Sequence, residues 1–516
     1  MKGHTKKPSV DSAKVYEYLK THSDGEKIKK IYDFSIGLYD SGGIYVIARI
    51  QKKKSIGISV VNGEINDISS SSRNGIGVHA FDKNGASAMV SSNTFPEVDF
   101  EELVGAAKNL IASSAAYDIK KNADIYKLEA QINIIDRKYP HPFESYELSK
   151  IIEKTVEVNK KIREIDKSRL SVSTNCTIVT DEFIIIRGDK TFSAFGIPRA
   201  AVSNAITAKD GLATATVGAR LGSSDLSVLF DAEIHGGLMK QSELYAREVL
   251  NLLTAPRIDA GRYRVVIDYA LAKGLAHEAF GHAAEADLHK GSILWKDGHF
   301  IKGERVAGPE VSIIDGPIFN DYAWQPVGAN GNLRNEVAIV AVGVVEKSLS
   351  DIFSSADAGV SNENAERIEG FDCPSIPRMT NIRLEYRNPV KVNKSFYEIT
   401  PSELNGILKE NGLLAPEGET LLLAGYKGGQ VSPSEGDFVF NCSMIYKMNQ
   451  DCVPVLYKPA IFAGKTLSAL KSIIGAVGPV KSDALGTCGK NGQGVPSSGG
   501  ANYFMVIDRN ENITIG

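Results

Sequence analysis

Two stretches of alternating polarity, each cut by glycine-bearing turns, set the tightest limit on how this chain can fold. Residues 42–50, 55–61, 75–81 and 86–92 switch between apolar and polar side chains at period two, the mark of strands with one buried face. Asp82-Lys83-Asn84-Gly85 between the last two reads as a hairpin turn, and 171–218 repeats the pattern. Residues 100–116 and 146–165 place their apolar side chains at helical spacing, the second with a solvent face rich in Lys and Glu. An antiparallel sheet with packed helices follows. At 516 residues the chain exceeds one ordinary core. An α+β architecture of two domains is expected: an N-terminal antiparallel sheet with packed helices over 1–235, and a β-rich C-terminal domain carrying a metal-binding helix over 236–516.

Charge and cysteine usage narrow the function classes. Formal net charge is −3 and no long run of Lys and Arg occurs, which argues against nucleic acid or an anionic membrane surface as partner. The N-terminus is polar, and the longest apolar runs, such as 337–345, fall far short of the roughly 20 residues that span a bilayer. Five scattered cysteines, an odd number, read as reduced thiols, so the expected compartment is the cytoplasm.

From Asp268, a fair N-cap, residues 271–288 carry apolar side chains at helical spacing. Within them lies His277-Glu278-Ala279-Phe280-Gly281-His282. Zinc peptidases commonly space their histidines four apart, one above the other on a helix face; here they are five apart. A regular helix, at about 100° per residue, would set them about 140° apart, too far round to share an ion. A bulge, kink or widened turn is therefore expected between Ala279 and Ala283, with Gly281 as its seat and a π-type i→i+5 bond as its simplest form. Catalytic zinc usually takes three protein ligands. Glu285, Asp287 or any cysteine can complete the set, and Cys488, flanked by glycines in Gly486-Thr487-Cys488-Gly489, is one candidate. Glu278, next to a ligand, stands where a general base is needed.

These residues resemble the TldD branch of the TldD/PmbA family, once called modulators of DNA gyrase and now regarded as metalloproteases. The resemblance runs through His277-Glu278-Ala279-Phe280-Gly281-His282 to Glu285 and Asp287, through Pro377-Arg378-Met379-Thr380-Asn381, through Gly428-Gly429-Gln430-Val431 with Gly436-Asp437-Phe438, and through Cys488-Gly489-Lys490 with Gly492-Gln493 and Pro496. The four blocks follow family order over the C-terminal half; the N-terminal half is similar more loosely, through 69–73 and 75–78. The resemblance implies that His277, His282 and Cys488 bind one divalent metal and that Glu278 is catalytic. It also implies a dimer, either with a second copy or with a metal-free TldE/PmbA-type paralogue. Residues 325–332 and 364–367 depart from the family pattern, which bears on substrate preference.

Two imidazoles and a thiolate suit zinc and also accept iron. Glu285 and Asp287 are expected to support the ligands instead of binding the ion. The substrate is expected to be an extended or unfolded peptide pairing its backbone with a strand edge at Gly428, Gly429, Gln430 and Val431. Arg378 and Asn381 either orient that peptide or cap a turn. The rival function is a non-catalytic adaptor with a structural metal, modulating a partner such as DNA gyrase. Gly464-Lys465-Thr466, Ser468-Ala469-Leu470-Lys471 and Arg187-Gly188-Asp189 lack the companions that would make them a phosphate loop, a nucleophile pair or an adhesion motif. His79 and His235 have no ligand-like neighbours, and Cys176, Cys373, Cys442 and Cys452 read as packing residues.

Overall fold

The computed structural model describes residues 11–114, 117, 123–450 and 453–516. Among these residues the first half builds an eight-stranded sheet whose central members are long. Tyr45–Val61 pairs antiparallel with Glu64–Phe81 on one side and with Leu170–Arg187 on the other. The two expected strands 42–50 and 55–61 are thus one. Lys52, Lys53 and Lys54 look like a break in the sequence, but ladder partners on both sides carry the backbone through them. The turn at Asp82 forms as expected: its carboxylate accepts the Asn84 and Ala86 amides, and Gly85 takes positive φ. Helices Phe100–Ser113 and Leu148–Arg163 pack on this sheet. Residues 115 and 116 of the first expected helix, and Cys452, lie outside the described residues.

The second half holds a mixed sheet of thirteen strands among the described residues. Its centre is Gln493–Ile507, parallel to Asn381–Tyr386 and antiparallel to Arg264–Asp268. Strand Thr420–Ser432 follows, parallel to Arg264–Asp268 through Leu423, then Asp437–Met448. Helix Ala232–Asn251 spans residue 235 and packs on Arg199–Asp210 and Ala213–Ser223 of the first sheet. One apolar cluster joins Val249 and Leu170 to Val266, Leu422 and Phe504, so the two halves share a core. The helix expected at 466–474 is shorter, Thr466–Lys471, because Ile473–Lys481 pairs with the central strand.

A second seam joins the halves through buried polar groups. The segment that departs from the family pattern near 330 threads under the first sheet. Arg49 donates to the Ala329 carbonyl and Asn330 Oδ1, and Arg187 to the Asn330 carbonyl and Asn332 Oδ1. Asn133 and Ser193 donate to the Gly331 carbonyl. These residues hold the halves together. Arg187 and Asp189 form a buried ion pair, which removes the Arg-Gly-Asp turn from any surface role. No helix among the described residues is long and apolar enough to cross a membrane.

Candidate metal centre

The expected single helix over 271–288 is a sequence of unlike turns. Asp268 caps an α-helix, Tyr269–Gly274, by accepting the Leu271 amide. The chain then widens into a π-helix over Leu275–Gly281, tightens to a 3₁₀ turn over His282–Ala284, and breaks where Glu285 goes extended. The His282 amide donates to the His277 carbonyl, so the two histidines bracket one i→i+5 hydrogen bond and their rings come to 5.1 Å between centroids. The distortion begins earlier than expected, at Leu275, and Gly281 is not its seat. Gly281 has regular helical dihedrals, φ −60 and ψ −48. Its glycine is required by packing: a Cβ there would lie 2.1 Å from Met379 Sδ and 2.9 Å from Ile382 Cδ1.

The third donor arrives from strand Gly486–Lys490. The ligand atoms of His277, His282 and Cys488 all lie within 4.8 Å of one another, with Cys488 Sγ 3.4 Å from His282 Nε2. His277 Nε2 is buried and has no hydrogen-bond partner. A buried imidazole nitrogen left bare beside a thiol and a second imidazole fits a metal ion of the zinc type. Burial lowers the His277 pKa far below its usual value, and Lys273 lowers it further. Burial also works against a charged His282, but Glu285 and Cys488 outweigh it and raise that imidazole strongly. Burial alone would raise the Cys488 thiol, yet contact with His282 brings it below the ordinary range. The pocket thus neutralises one imidazole and concentrates negative charge opposite the other, a field that attracts a cation.

Supporting groups surround the three donors. His282 Nδ1 lies 2.9 Å from Glu285 Oε2. Lys490 donates to Glu285 at 2.8 Å and to Asp287 at 2.7 Å. Neither carboxylate joins the three-donor group; Glu285 contacts His282, and Asp287 reaches it only through Lys490. His277 Nδ1 lies 3.2 Å from Ser497 Oγ, which accepts from Lys273 at 3.0 Å. Sequence reading missed Lys273 and Ser497, and gave Lys490 no role beyond its place in the cysteine block. Their signals were spacing: Lys273 precedes His277 by one helical turn on an otherwise apolar face, and Lys490 shares a strand face with Cys488.

Glu278 stands across from the donors, its carboxylate oxygens 4.0 Å from His277 Nε2 and 3.8 Å from His282 Nε2, with 27% of its side chain exposed. That exposure opens it to water while the ligands stay covered. Arg378 and Asn381 are placed differently from the expectation of substrate contact. Both are fully buried. Arg378 donates to the Cys488 and Gln493 carbonyls and so fixes the cysteine hairpin, while Asn381 donates to the Ser482 carbonyl. Arg367, in the second departing segment, clamps the Met379 and Pro496 carbonyls in the same way. Gly428, Gly429, Gln430 and Val431 lie on Thr420–Ser432, with a bulge between Tyr426 and Gly429 and positive φ at Gly428. Among the described residues, no ladder partner covers the edge of that strand beyond Leu423, where Arg264–Asp268 ends.

A helix widened to bring two imidazoles over one thiol, with a water-facing glutamate beside them, defines a metallopeptidase-type centre set in a two-sheet fold. Residues 260–498 match the domain described as PmbA/TldA metallopeptidase C-terminal domain, and 46–114 match PmbA/TldA metallopeptidase domain 1. A metalloprotease of Methanocaldococcus jannaschii is 27% identical over 496 residues, covering 93% of this chain and 98% of its own. A zinc metalloprotease TldD homologue of Saccharolobus solfataricus is 24% identical over 315 residues, 58% of this chain and 62% of its own. A crystal structure of a Thermotoga maritima protein described as a modulator of a DNA gyrase superposes with a TM-score of 0.70 at 15% identity, over 95% of this chain and 100% of that one. The chain belongs to the TldD/PmbA metallopeptidase family.

Proposed function

We propose that the protein is a zinc-dependent peptidase that cuts extended or unfolded peptides, with Glu278 as its general base. The observation that carries this reading is Glu278 itself: a water-facing carboxylate within 4.0 Å of both ligand imidazoles. A purely structural site has no use for such a group. His277, His282 and Cys488 would hold the ion, which when bound would supply Lewis acidity toward a peptide carbonyl and toward water. Glu278 takes the proton from the attacking water and returns it to the leaving amine nitrogen. The thiol with two imidazoles favours zinc, and the Saccharolobus solfataricus relative is named for that metal. The strand edge along 427–432, which has no ladder partner on that side among the described residues and where Gly428 and Gly429 are bare of side chains, offers backbone partners to an extended chain. Assembly with a second copy or with a metal-free paralogue belongs to the same proposal.

The test compares wild type and Glu278→Gln on an unstructured peptide, with zinc content measured in both. The variant should keep its zinc and lose at least about a hundredfold in turnover. A metal-replete Glu278→Gln protein that cuts at the wild-type rate refutes the assignment of the base.

A further inference from the structure

Beside the metal centre lies a cleft in which, among the described residues, neither of two cations has a carboxylate within ion-pair distance. Lys273 is buried, and Arg220 projects from strand Ala213–Ser223 of the first half. Together with Tyr245, Tyr269, Tyr426 and Gln241 they line a cavity of about 50 Å³. Among the described residues, Lys273 makes one hydrogen bond, to Ser497, and Arg220 makes none, although an ammonium carries three donors and a guanidinium five. Among the described residues, no carboxylate lies within ion-pair distance of either. Asp321 accepts from Ser498 and from the Ala323 amide, and Glu278 stands by the imidazoles. Gln241 Oε1, also in the lining, is buried without a partner.

Both cations converge on a glycine. A Cβ at Gly486 would lie 3.5 Å from Lys273 Nζ and 4.0 Å from Arg220 Nη2. Gly486 is two residues before Cys488 on the same strand, so the two positions face the same side, about 7 Å apart. Burying the Lys273 ammonium is costly without a counter-charge, and the exposed Arg220 guanidinium beside it adds to the positive field. The cavity is too small for a large side chain, but a carboxylate head fits it.

We propose that Lys273 and Arg220 bind a carboxylate of the substrate. The inference rests on the peptidase reading above and adds the feature by which that site selects its substrates. About 7 Å corresponds to two residues of extended chain. A peptide whose terminal carboxylate sits between the cations therefore presents a bond one or two residues from its C-terminus to the metal centre, and short C-terminal fragments are released. The same cations receive a Glu or Asp side chain if the acidic group is internal. Arg220 comes from the first half, which makes that half part of the substrate site.

The experiment measures equilibrium binding of four labelled, N-blocked hexapeptides to full-length, zinc-loaded Glu278→Gln protein. One pair differs as free acid and C-terminal amide; the other is amidated and differs as Glu and Gln near its C-terminus. The free acid should bind at least about tenfold tighter than its amide, the effect of a charge-assisted pair of hydrogen bonds. Arg220→Gln, an accessible position, should erase that ratio, and Arg220→Lys should restore part of it. A ratio that follows the Glu side chain assigns the carboxylate to an acidic residue. Equal affinity for all four peptides, or a preference unchanged by Arg220→Gln, overturns the proposal. Each peptide is checked for cleavage after the measurement, so a variant that still cuts, which removes Glu278 as base, is told apart from a variant that binds all four peptides alike, which removes the carboxylate site.

Discussion

Gly281→Ala separates packing from helix propensity at the metal centre. In a regular helical conformation, alanine gains about 1 kcal/mol over glycine, and Gly281 has such a conformation. The added Cβ, however, would fall 2.1 Å from Met379 Sδ, 2.9 Å from Ile382 Cδ1 and 3.1 Å from the Ala276 carbonyl oxygen. Relaxed contacts need about 3.5–4 Å. Met379 and Ile382 are both 0% exposed, so neither can swing into solvent. Their chain is pinned as well, because the Thr380 amide donates to Asp315. Overpacking of this kind costs about 1–3 kcal/mol, which outweighs the propensity gain. The strain is relieved by moving the turn that carries His282, so metal affinity should fall by about tenfold or more together with the thermal midpoint. Shortening the opposing side chain in Gly281→Ala/Met379→Ala should cost about 1–3 kcal/mol less than the two single changes added together. A Gly281→Ala protein that melts at or above wild type and binds zinc with unchanged affinity would show that the close approach is not what selects glycine.

Two further outcomes follow from buried groups. Ser497→Ala removes the contact that orients His277 and should lower zinc affinity about 10–100-fold without unfolding the protein, as read by competition with a chromogenic chelator. Burial, with Glu366 nearby, raises the Asp351 carboxyl from 3.8 to about 7. Because the folded pKa lies above the unfolded one, the stability this group contributes is full below pH 3.8 and is lost as pH rises through 7. The stability gap between wild type and Asp351→Asn should therefore shift against wild type from pH 4 to 7. Parallel denaturation curves at both pH values, with a constant gap, would contradict the raised value.

The parts of the fold legible in the sequence are those decided by neighbours along the chain. The Asp82 turn is set by one carboxylate and one glycine, and Phe100–Ser113 by Asp99 and a periodic apolar face. The helical distortion was legible because two histidines five apart cannot share an ion on a regular helix. Its exact extent was not, since the widening from Leu275 depends on what the helix packs against. The run Lys52-Lys53-Lys54 looked like a break because local polarity says nothing of ladders formed with residues more than a hundred positions away. Arg378 stayed open between a peptide contact and a turn cap for a similar reason: a charged side chain carries no local sign of burial until the carbonyls of Cys488 and Gln493 are seen to enclose it. Cys488 carried only its glycine neighbours as a local signal. Its convergence with His282 needs the central strand that brings residue 488 back to the helix.

The grip of Arg49 and Arg187 on Ala329, Asn330 and Asn332 bears on how this molecule can be dissected. A cut between the halves would take the oxygen acceptors from two guanidinium groups and expose to water the apolar cluster that both halves share. Exposed apolar surface costs about 25 cal/mol per Å², against a net domain stability of roughly 5–15 kcal/mol. The half that carries the metal centre is therefore poorly suited to expression as an isolated fragment, and the two halves are better treated as one cooperative unit joined by an apolar cluster and a polar seam.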